Sequence, residues 1–347
     1  MIQFALIINI KRKYQEIKKN TQNAMTKSSK RNSSIELLRI IAMIIIVFFH
    51  FHARNFGMYV FGNERINEEG LLLHSILHHL GGLGVPCFMF ISGYYGMKFK
   101  KDRLLDIILQ CIGYAILSII GIFVFTGKIT LTQLFFFNNW WFILAYTIIY
   151  TLSPGINKII EQFSSRELLM IIGLFYFMMI GSLFNKSAST GGIMTLLTIY
   201  LVARWVKLYL TKYQKTIFIY LAIILVFLKF AGVFVAFESH HLGILPYLSS
   251  YDNPINIIVA GGMVVAIERI HFSNKLVNTI AANTLAVYLL SECGYGQRLF
   301  QPLYEWLPNI PYYLTYFLFS IVIYLICVAV DKTWAPLRQH VCRKICD

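Results

Sequence analysis

Long apolar stretches separated by short polar segments make up most of this chain of 347 residues. Many of them are roughly 18 to 22 residues long, the length that an α-helix needs to cross about 30 Å of hydrocarbon. The pattern therefore predicts an all-α integral membrane protein with about ten transmembrane helices. We place these helices at residues 35–54, 71–97, 104–126, 139–154, 167–184, 190–210, 216–236, 254–270, 276–294 and 312–331.

The composition also favours a membrane protein. Hydrophobic residues make up 57% of the chain and charged residues only 14%, which is well below the share expected in a soluble domain. The six cysteines lie mostly within apolar stretches. We interpret them as small core residues and not as a disulfide framework.

The net charge of +15 would suit a nucleic-acid-binding protein, but its distribution indicates another cause. If alternate loops lie on opposite sides of the membrane, 25 of the 31 Lys and Arg residues fall on one side and 5 on the other. Positively charged loops stay in the cytoplasm, so the asymmetry predicts an even number of spans and two cytoplasmic termini. No clustered basic face on a recognition fold is evident, so we expect no nucleic-acid partner.

The polar segments at the two ends complete the predicted domain organisation. Residues 1–32 form a basic cytoplasmic arm whose first apolar stretch is too short to span a bilayer, and this arm could lie on anionic lipid. Residues 33–331 form the ten-helix transmembrane domain, and residues 332–347 form a short cytoplasmic tail. We find no second soluble domain.

The first predicted span, ELLRIIAMIIIVFFHFH, carries ionisable groups at both of its ends. Arg39 and His50 are eleven residues apart, which at about 100° per residue is three turns plus about 20°. Both side chains therefore point the same way, about 16.5 Å apart along the axis, with Glu36 one turn below Arg39. Such groups usually face a bundle interior or a wet cavity. Alternatively, Arg39 snorkels to the headgroups and His50 caps a neighbouring helix.

A second set of candidates lies at the cytoplasmic end of the second span. The small pair Ser92-Gly93 would let either a neighbouring helix or a thin ligand approach closely. A basic cluster follows, which could bind phosphate or could serve only to fix the topology. The cluster consists of Lys98, Lys100, Lys101 and Arg103.

The remaining candidates lie towards the predicted outer side. His78 belongs to the segment HSILHH, in which His74 and His78 are one turn apart. No acid or cysteine lies nearby at ligand spacing, so we expect core or interfacial histidines and no metal. Lys229 lies in the outer half of the seventh span, where it needs a carboxylate, a carbonyl, water or contact with the headgroups. Glu292 is a possible carboxylate partner for it.

Four segments together resemble membrane-bound acyltransferase family 3, whose members mostly O-acetylate cell-surface carbohydrates. The first is the arginine and histidine of the first span, separated by ten residues. The second, GLGVPCFMFISGYYGMK, resembles the family segment that ends in Phe-x-x-Ser-Gly-Phe/Tyr. The third and fourth resemble a Trp-containing helix and a late helix of the family. They are WWFILAYTIIYTLSPGINKI and ANTLAVYLLSE, and the resemblance covers roughly residues 33–331.

The resemblance implies a bacterial plasma-membrane enzyme that takes an acetyl group from cytoplasmic acetyl-CoA and transfers it to a hydroxyl of an exopolysaccharide, O-antigen or similar carbohydrate. It implies that His50 is the catalytic base and that Arg39 lies at the inner mouth of the donor path. The basic cluster and Ser92-Gly93 would then bind the donor. The substrate-side candidates are Glu36, His52, His78, Lys229 and Glu292.

Two positions depart from the family pattern. The family often has Arg-x-x-Arg after the second helix, where this chain has Lys100 and Arg103. Many members have a histidine in the late helix, where this chain has Ser291 followed by Glu292.

Two other classes of protein compete with an acyltransferase. A transporter or flippase for a small solute or lipid-linked sugar would also need polar groups around a cavity, but it would often show mirrored pairs of broken helices. In this sequence Pro86 breaks the second span, but no partner segment mirrors it. A transferase that uses lipid-linked sugars would usually bring an acidic site in a large loop, and the loops here are short.

Overall fold

The computed structural model describes residues 32–56, 68–128, 140–184, 191–241, 244–292 and 312–346. These residues form helices and connecting turns, with no strand among them. Residues 1–31 of the predicted arm 1–32, and the side chain of His52, lie outside the described part of the chain. In chain order the helices are α1 Ser33–Phe56, α2 Glu68–Gly81, α3 Gly84–Tyr95, α4 Lys101–Thr126, α5 Trp141–Ile160, α6 Ser165–Phe184, α7 Gly191–Tyr209, α8 Lys212–Glu238, α9 Leu245–Ser249, α10 Pro254–Glu268, α11 Lys275–Ala281, α12 Thr284–Ser291 and α13 Tyr312–Cys346.

The lengths and compositions of these helices confirm a multi-pass membrane protein. Across the described residues, seven helical segments are long and apolar enough to cross a membrane. Helix α8 shows the expected lipid-facing surface, with large exposed apolar side chains such as Phe227 and Leu228. The total of ten spans and the cytoplasmic position of both ends stay predictions.

Helix α1 lies at the centre of the described bundle. It contacts α2, α3, α10, α11, α12 and α13. Its apolar side chains are mostly buried, and so is Glu36. Glu36 is therefore surrounded by protein, as expected for an ionisable residue inside a membrane protein, whereas Arg39 and His50 are partly exposed.

The second predicted span is interrupted. Helix α2 ends at Gly81, α3 begins at Gly84, and a turn at Gly82 and Leu83 separates them. A Cβ atom at Gly82 would lie 2.1 Å from the backbone oxygen of Ser249, so the close approach of α9 requires glycine there. Pro86 lies in the first turn of α3, where its missing N–H removes no intrahelical hydrogen bond.

The prediction of one continuous helix over 276–294 was wrong. Residues 282–283 break this segment into α11 and α12. Asn283 Nδ2 donates to the Thr279 carbonyl at 2.8 Å, and Thr284 Oγ1 donates to the Ala281 carbonyl at 2.6 Å. Asn and Thr side chains that bond nearby carbonyls compete with helix continuation. Irregular backbone at membrane depth is tolerated where it is buried in protein or lines a cavity.

Helix α13 continues without a break through most of the residues predicted as a tail. The buried Arg338 joins it to α4: Nε donates to Asp106 Oδ1 at 2.6 Å, and Nη1 donates to Asp331 Oδ1 at 2.7 Å. The Tyr114 hydroxyl of α4 also donates to Asp331. We call these four side chains the α4–α13 ion network. It fixes the end of α13 beside the start of α4.

Candidate functional site

His50 and Glu292 meet at one end of α1. His50 Nδ1 lies 3.5 Å from Glu292 Oε2, and Glu292 is only 4% exposed. The break between α11 and α12 precedes this contact, and Glu292 directly follows α12. A carboxylate in this position can orient an imidazole and stabilise its protonated form. The predicted candidate Glu292 is therefore a partner of His50 and not of Lys229.

A second histidine lies at the same end of the bundle. His78 of α2 is buried, and its ring centroid lies 4.7 Å from that of Phe49. The Phe49 ring lies in turn 5.4 Å from the His50 ring. The structure thus places His50, His78 and Glu292 in one region, with an aromatic side chain beside both imidazoles.

Arg39 marks the other end of α1. Its Nη1 lies 3.3 Å from Glu36 Oε1, and the two residues are one turn apart as predicted. Glu36 is fourteen residues from His50, or about 21 Å along the helix, so the structure does not bring this substrate-side candidate to His50. Glu36 instead pairs with Arg39 and holds the guanidinium against the bundle.

A cavity of about 120 Å³ lies beside Arg39. Ser92 of α3 and Arg103 of α4 line it together with Arg39, so three predicted donor-binding residues meet there. We call it the Arg39 cavity. Ala281 and Ala282, at the end of α11, form part of its wall, so the break in the ninth predicted span lies at a cavity.

The cavity also includes two residues that the sequence reasoning missed. Tyr146 of α5 and Tyr288 of α12 both line it. Their only sequence signal is their position within the third and fourth family-like segments, WWFILAYTIIYTLSPGINKI and ANTLAVYLLSE.

The two residues of the predicted pair Ser92-Gly93 contact different parts of the protein. Ser92 lines the Arg39 cavity, and its hydroxyl donates to the Phe88 carbonyl at 3.0 Å. Gly93 is buried against α7, where a Cβ atom would lie 2.8 Å from Ala203 Cβ. Gly93 therefore permits close packing of α3 on α7, whereas Ser92 is the member of the pair that a ligand in the cavity could touch.

Only part of the basic cluster lines a space that could bind a ligand. Lys100 and Arg103 line an open groove of about 470 Å³ between the start of α4 and the end of α13, which we call the α4–α13 groove. Arg103 also lines the Arg39 cavity, so it lies at both places. Lys98 and Lys101 are exposed and are not among the residues that line either space in the described part of the chain.

Lys229 is buried, which overturns the interpretation that it snorkels to the headgroups. Only 1% of this residue is exposed, and Nζ donates to the His79 carbonyl at 2.6 Å and to Asn256 Oδ1 at 2.7 Å. Asn256 Nδ2 donates in turn to the Leu248 carbonyl at 3.0 Å. Lys229 thus binds α2 and α10 to α8 through neutral oxygen acceptors and not through Glu292.

Comparison with known proteins gives one match. A family model described as an acyltransferase domain, that of membrane acyltransferase family 3, matches residues 32–330. The matched range includes Arg39, His50, Ser92, Arg103 and Glu292. No curated protein and no solved structure matches the chain.

Proposed function

The chain belongs to membrane acyltransferase family 3, and from that membership we propose that it is an O-acetyltransferase. It takes an acetyl group from cytoplasmic acetyl-CoA and transfers it to a hydroxyl of an exported or cell-surface carbohydrate. One observation carries this proposal. A single helix, α1, holds a histidine against a buried carboxylate at one end and an arginine beside a cavity at the other.

The positions of the basic side chains support a path for the donor. The phosphates bind at the α4–α13 groove near Lys100 and Arg103, because guanidinium and ammonium groups are the usual phosphate partners. The thin pantetheine arm then enters the Arg39 cavity beside Ser92. Arg103 lines both spaces and so connects the two parts of the path. From this cavity the thioester is directed along α1 towards His50.

His50 acts as the general base in the proposed step. With Nδ1 turned towards Glu292, Nε2 takes the proton of the sugar hydroxyl. The hydroxyl oxygen forms a bond to the thioester carbonyl carbon, the carbon–sulfur bond breaks, and the departing thiolate takes the proton back from the imidazolium. Glu292 stabilises the imidazolium while it carries the charge.

The decisive experiment is label transfer. Purified protein in detergent or nanodiscs is incubated with acetyl-CoA labelled in the acetyl group and with candidate surface glycans. Covalent label on a glycan supports the proposal, and hydroxylamine should release it if the bond is an ester. If no glycan gains label, the proposed carbohydrate acceptor is wrong. If the protein also binds no acetyl-CoA, the proposed donor is wrong as well.

The α11–α12 break favours one alternative, because transporters also build their sites from broken helices. A transporter or flippase of a small solute or lipid-linked sugar would move its substrate without consuming acetyl-CoA. Proteoliposomes that accumulate a labelled sugar without acetyl-CoA, and that transfer no label, would therefore favour this class.

Changing Glu292 to Gln should lower kcat by about tenfold to a hundredfold, the range expected when an interaction with a charged group is weakened. The amide keeps the size of the side chain and an oxygen acceptor, but it lacks the negative charge that stabilises the imidazolium. The KM for acetyl-CoA should stay near the wild-type value, because Glu292 is not among the residues that line the Arg39 cavity. Steady-state label transfer measures both constants. Glu161→Gln, at an exposed position after α5, is the control. Equal kcat values in the two variants would show that Glu292 takes no part in catalysis.

Changing both Lys100 and Arg103 to Ala should raise the KM for acetyl-CoA, with a smaller effect on kcat. Both side chains line the α4–α13 groove, so their loss weakens donor binding more than it affects the reacting atoms. The matched control is Lys98→Ala with Lys101→Ala, which removes two exposed cations of the same cluster that do not line the groove. If both double variants change KM equally, the cluster contributes only general charge.

A further inference from the structure

The end of α13 forms one wall of the α4–α13 groove, although it lies outside the family match. That match ends at residue 330, whereas Gln339 and Arg343 of α13 face the groove opposite Lys100 and Arg103. The groove of about 470 Å³ falls within the size range of small-molecule sites, about 300 to 1,000 Å³. A helix segment that the family match does not include thus completes the groove in which the proposed donor path begins.

The charges around the groove favour a ligand that carries phosphate. Lys100, Arg103 and Arg343 are exposed cations that line it. Two carboxylates, Asp102 and Asp106, line it as well. Asp106 Oδ1 accepts from Arg338 at 2.6 Å, and Asp106 Oδ2 accepts from Arg103 at 3.1 Å. The three cations that line the groove exceed the two carboxylates by one charge, and two of the three are guanidinium groups, which bind phosphate oxygens in pairs.

Arg338 lies behind this wall and acts through Asp106. It is buried between Asp106 and Asp331, so it cannot itself reach a ligand in the groove. It does hold one oxygen of Asp106, and the other oxygen of Asp106 holds Arg103. The position of Arg103 in the groove therefore depends on a residue of α13.

On the basis of the acyl-CoA donor proposed above, we infer that α13 is part of the donor-binding site. Arg343 binds a phosphate of the donor's nucleotide directly, together with Lys100 and Arg103. Arg338 is a positioning residue that holds Arg103 on the groove through Asp106.

The first test is equilibrium binding of coenzyme A to the full chain in nanodiscs of zwitterionic lipid. Arg343→Ala should raise the Kd about tenfold, the effect of losing one hydrogen bond to a charged group. Lys344→Ala removes an adjacent exposed cation that does not line the groove, and it should bind like the wild type. Pantetheine, which lacks the nucleotide, should bind to both variants with the same Kd. Zwitterionic lipid carries no net charge, so a loss of binding in these nanodiscs identifies a nucleotide phosphate, and not an anionic headgroup, as the partner of Arg343.

The second test concerns Arg338, for which a milder variant is needed because the residue is buried in the ion network. Arg338→Lys keeps the charge but cannot hold both carboxylates in the same geometry. It should weaken coenzyme A binding in the wild-type background and cause no further loss when Arg103 is already Ala. An equal loss in both backgrounds would show that Arg338 does not act through Arg103.

The outcomes separate this inference from the proposed function. If the wild type binds no coenzyme A, the acyl-CoA donor is wrong, and the inference fails with it. If the wild type binds coenzyme A but Arg343→Ala binds as tightly as Lys344→Ala, the donor stands and α13 is not part of its site. Helix α13 is likewise excluded from the donor site if Arg343 affects binding only after anionic lipid is added to the nanodiscs.

Discussion

Changing His50 to Ala should abolish measurable acyl transfer, while the protein still inserts into the membrane and still binds acetyl-CoA. Loss of a general base typically lowers the rate by about 10² to 10⁴. The donor-binding groups lie at the Arg39 end of α1 and in the α4–α13 groove, so the Kd for coenzyme A should not change. Label transfer measures the rate, and equilibrium binding of coenzyme A confirms that the variant is folded.

Other histidines of the chain supply the control and the competing candidates for this test. His241→Ala removes an exposed histidine outside the site and should behave like the wild type. His78 lies near His50 across Phe49, and His52 is two residues further along α1. If His50→Ala keeps full turnover and His78→Ala or His52→Ala is inactive, the catalytic base must be moved to that residue.

Changing Arg338 to Ala should lower the free energy of unfolding by about 3 to 5 kcal/mol, the typical effect of removing one partner of a buried ion pair. The change leaves Asp331, which is 2% exposed, without its guanidinium partner, and it removes the link from α13 to Asp106. Thermal unfolding of the purified protein in one detergent at fixed concentration measures the loss as a lower Tm.

Lys332→Ala is the matched control, because it removes an exposed cation from the residue next to Asp331. Surface substitutions of this kind usually change stability by no more than about 0.5 kcal/mol. A Tm for Arg338→Ala that equals the Tm of Lys332→Ala would mean that the α4–α13 ion network does not stabilise the fold.

Much of the fold could be predicted from the sequence because it depends on local information. Continuous apolar stretches identify membrane helices, since the backbone in lipid must satisfy its own hydrogen bonds. The continuity of α1 also made the relation between Arg39 and His50 predictable, because residues on one helix have a fixed angular spacing. The same rule separates Ser92 from Gly93: adjacent helical residues point about 100° apart, so one faces the cavity and the other faces α7.

The contacts that complete the site could not be predicted in this way. Glu292 reaches His50 across 242 residues of sequence, and Lys229 binds a backbone carbonyl of His79, which no side-chain pattern reveals. The α11–α12 break depends on Asn283, whose side chain competes for a carbonyl within a stretch that is mostly apolar. Hydropathy averages over such a residue and therefore gives one continuous span.

The uninterrupted course of α1 has a consequence for how this protein can change in evolution. Inserting or deleting one residue between Arg39 and His50 would rotate one end of the helix against the other by about 100° and shift it by about 1.5 Å. His50 would then turn away from Glu292, although the apolar character of the helix would be unchanged. A substitution at Ile41, which is 42% exposed, alters only one side chain. The length of this helix should therefore tolerate far less variation than its lipid-facing composition.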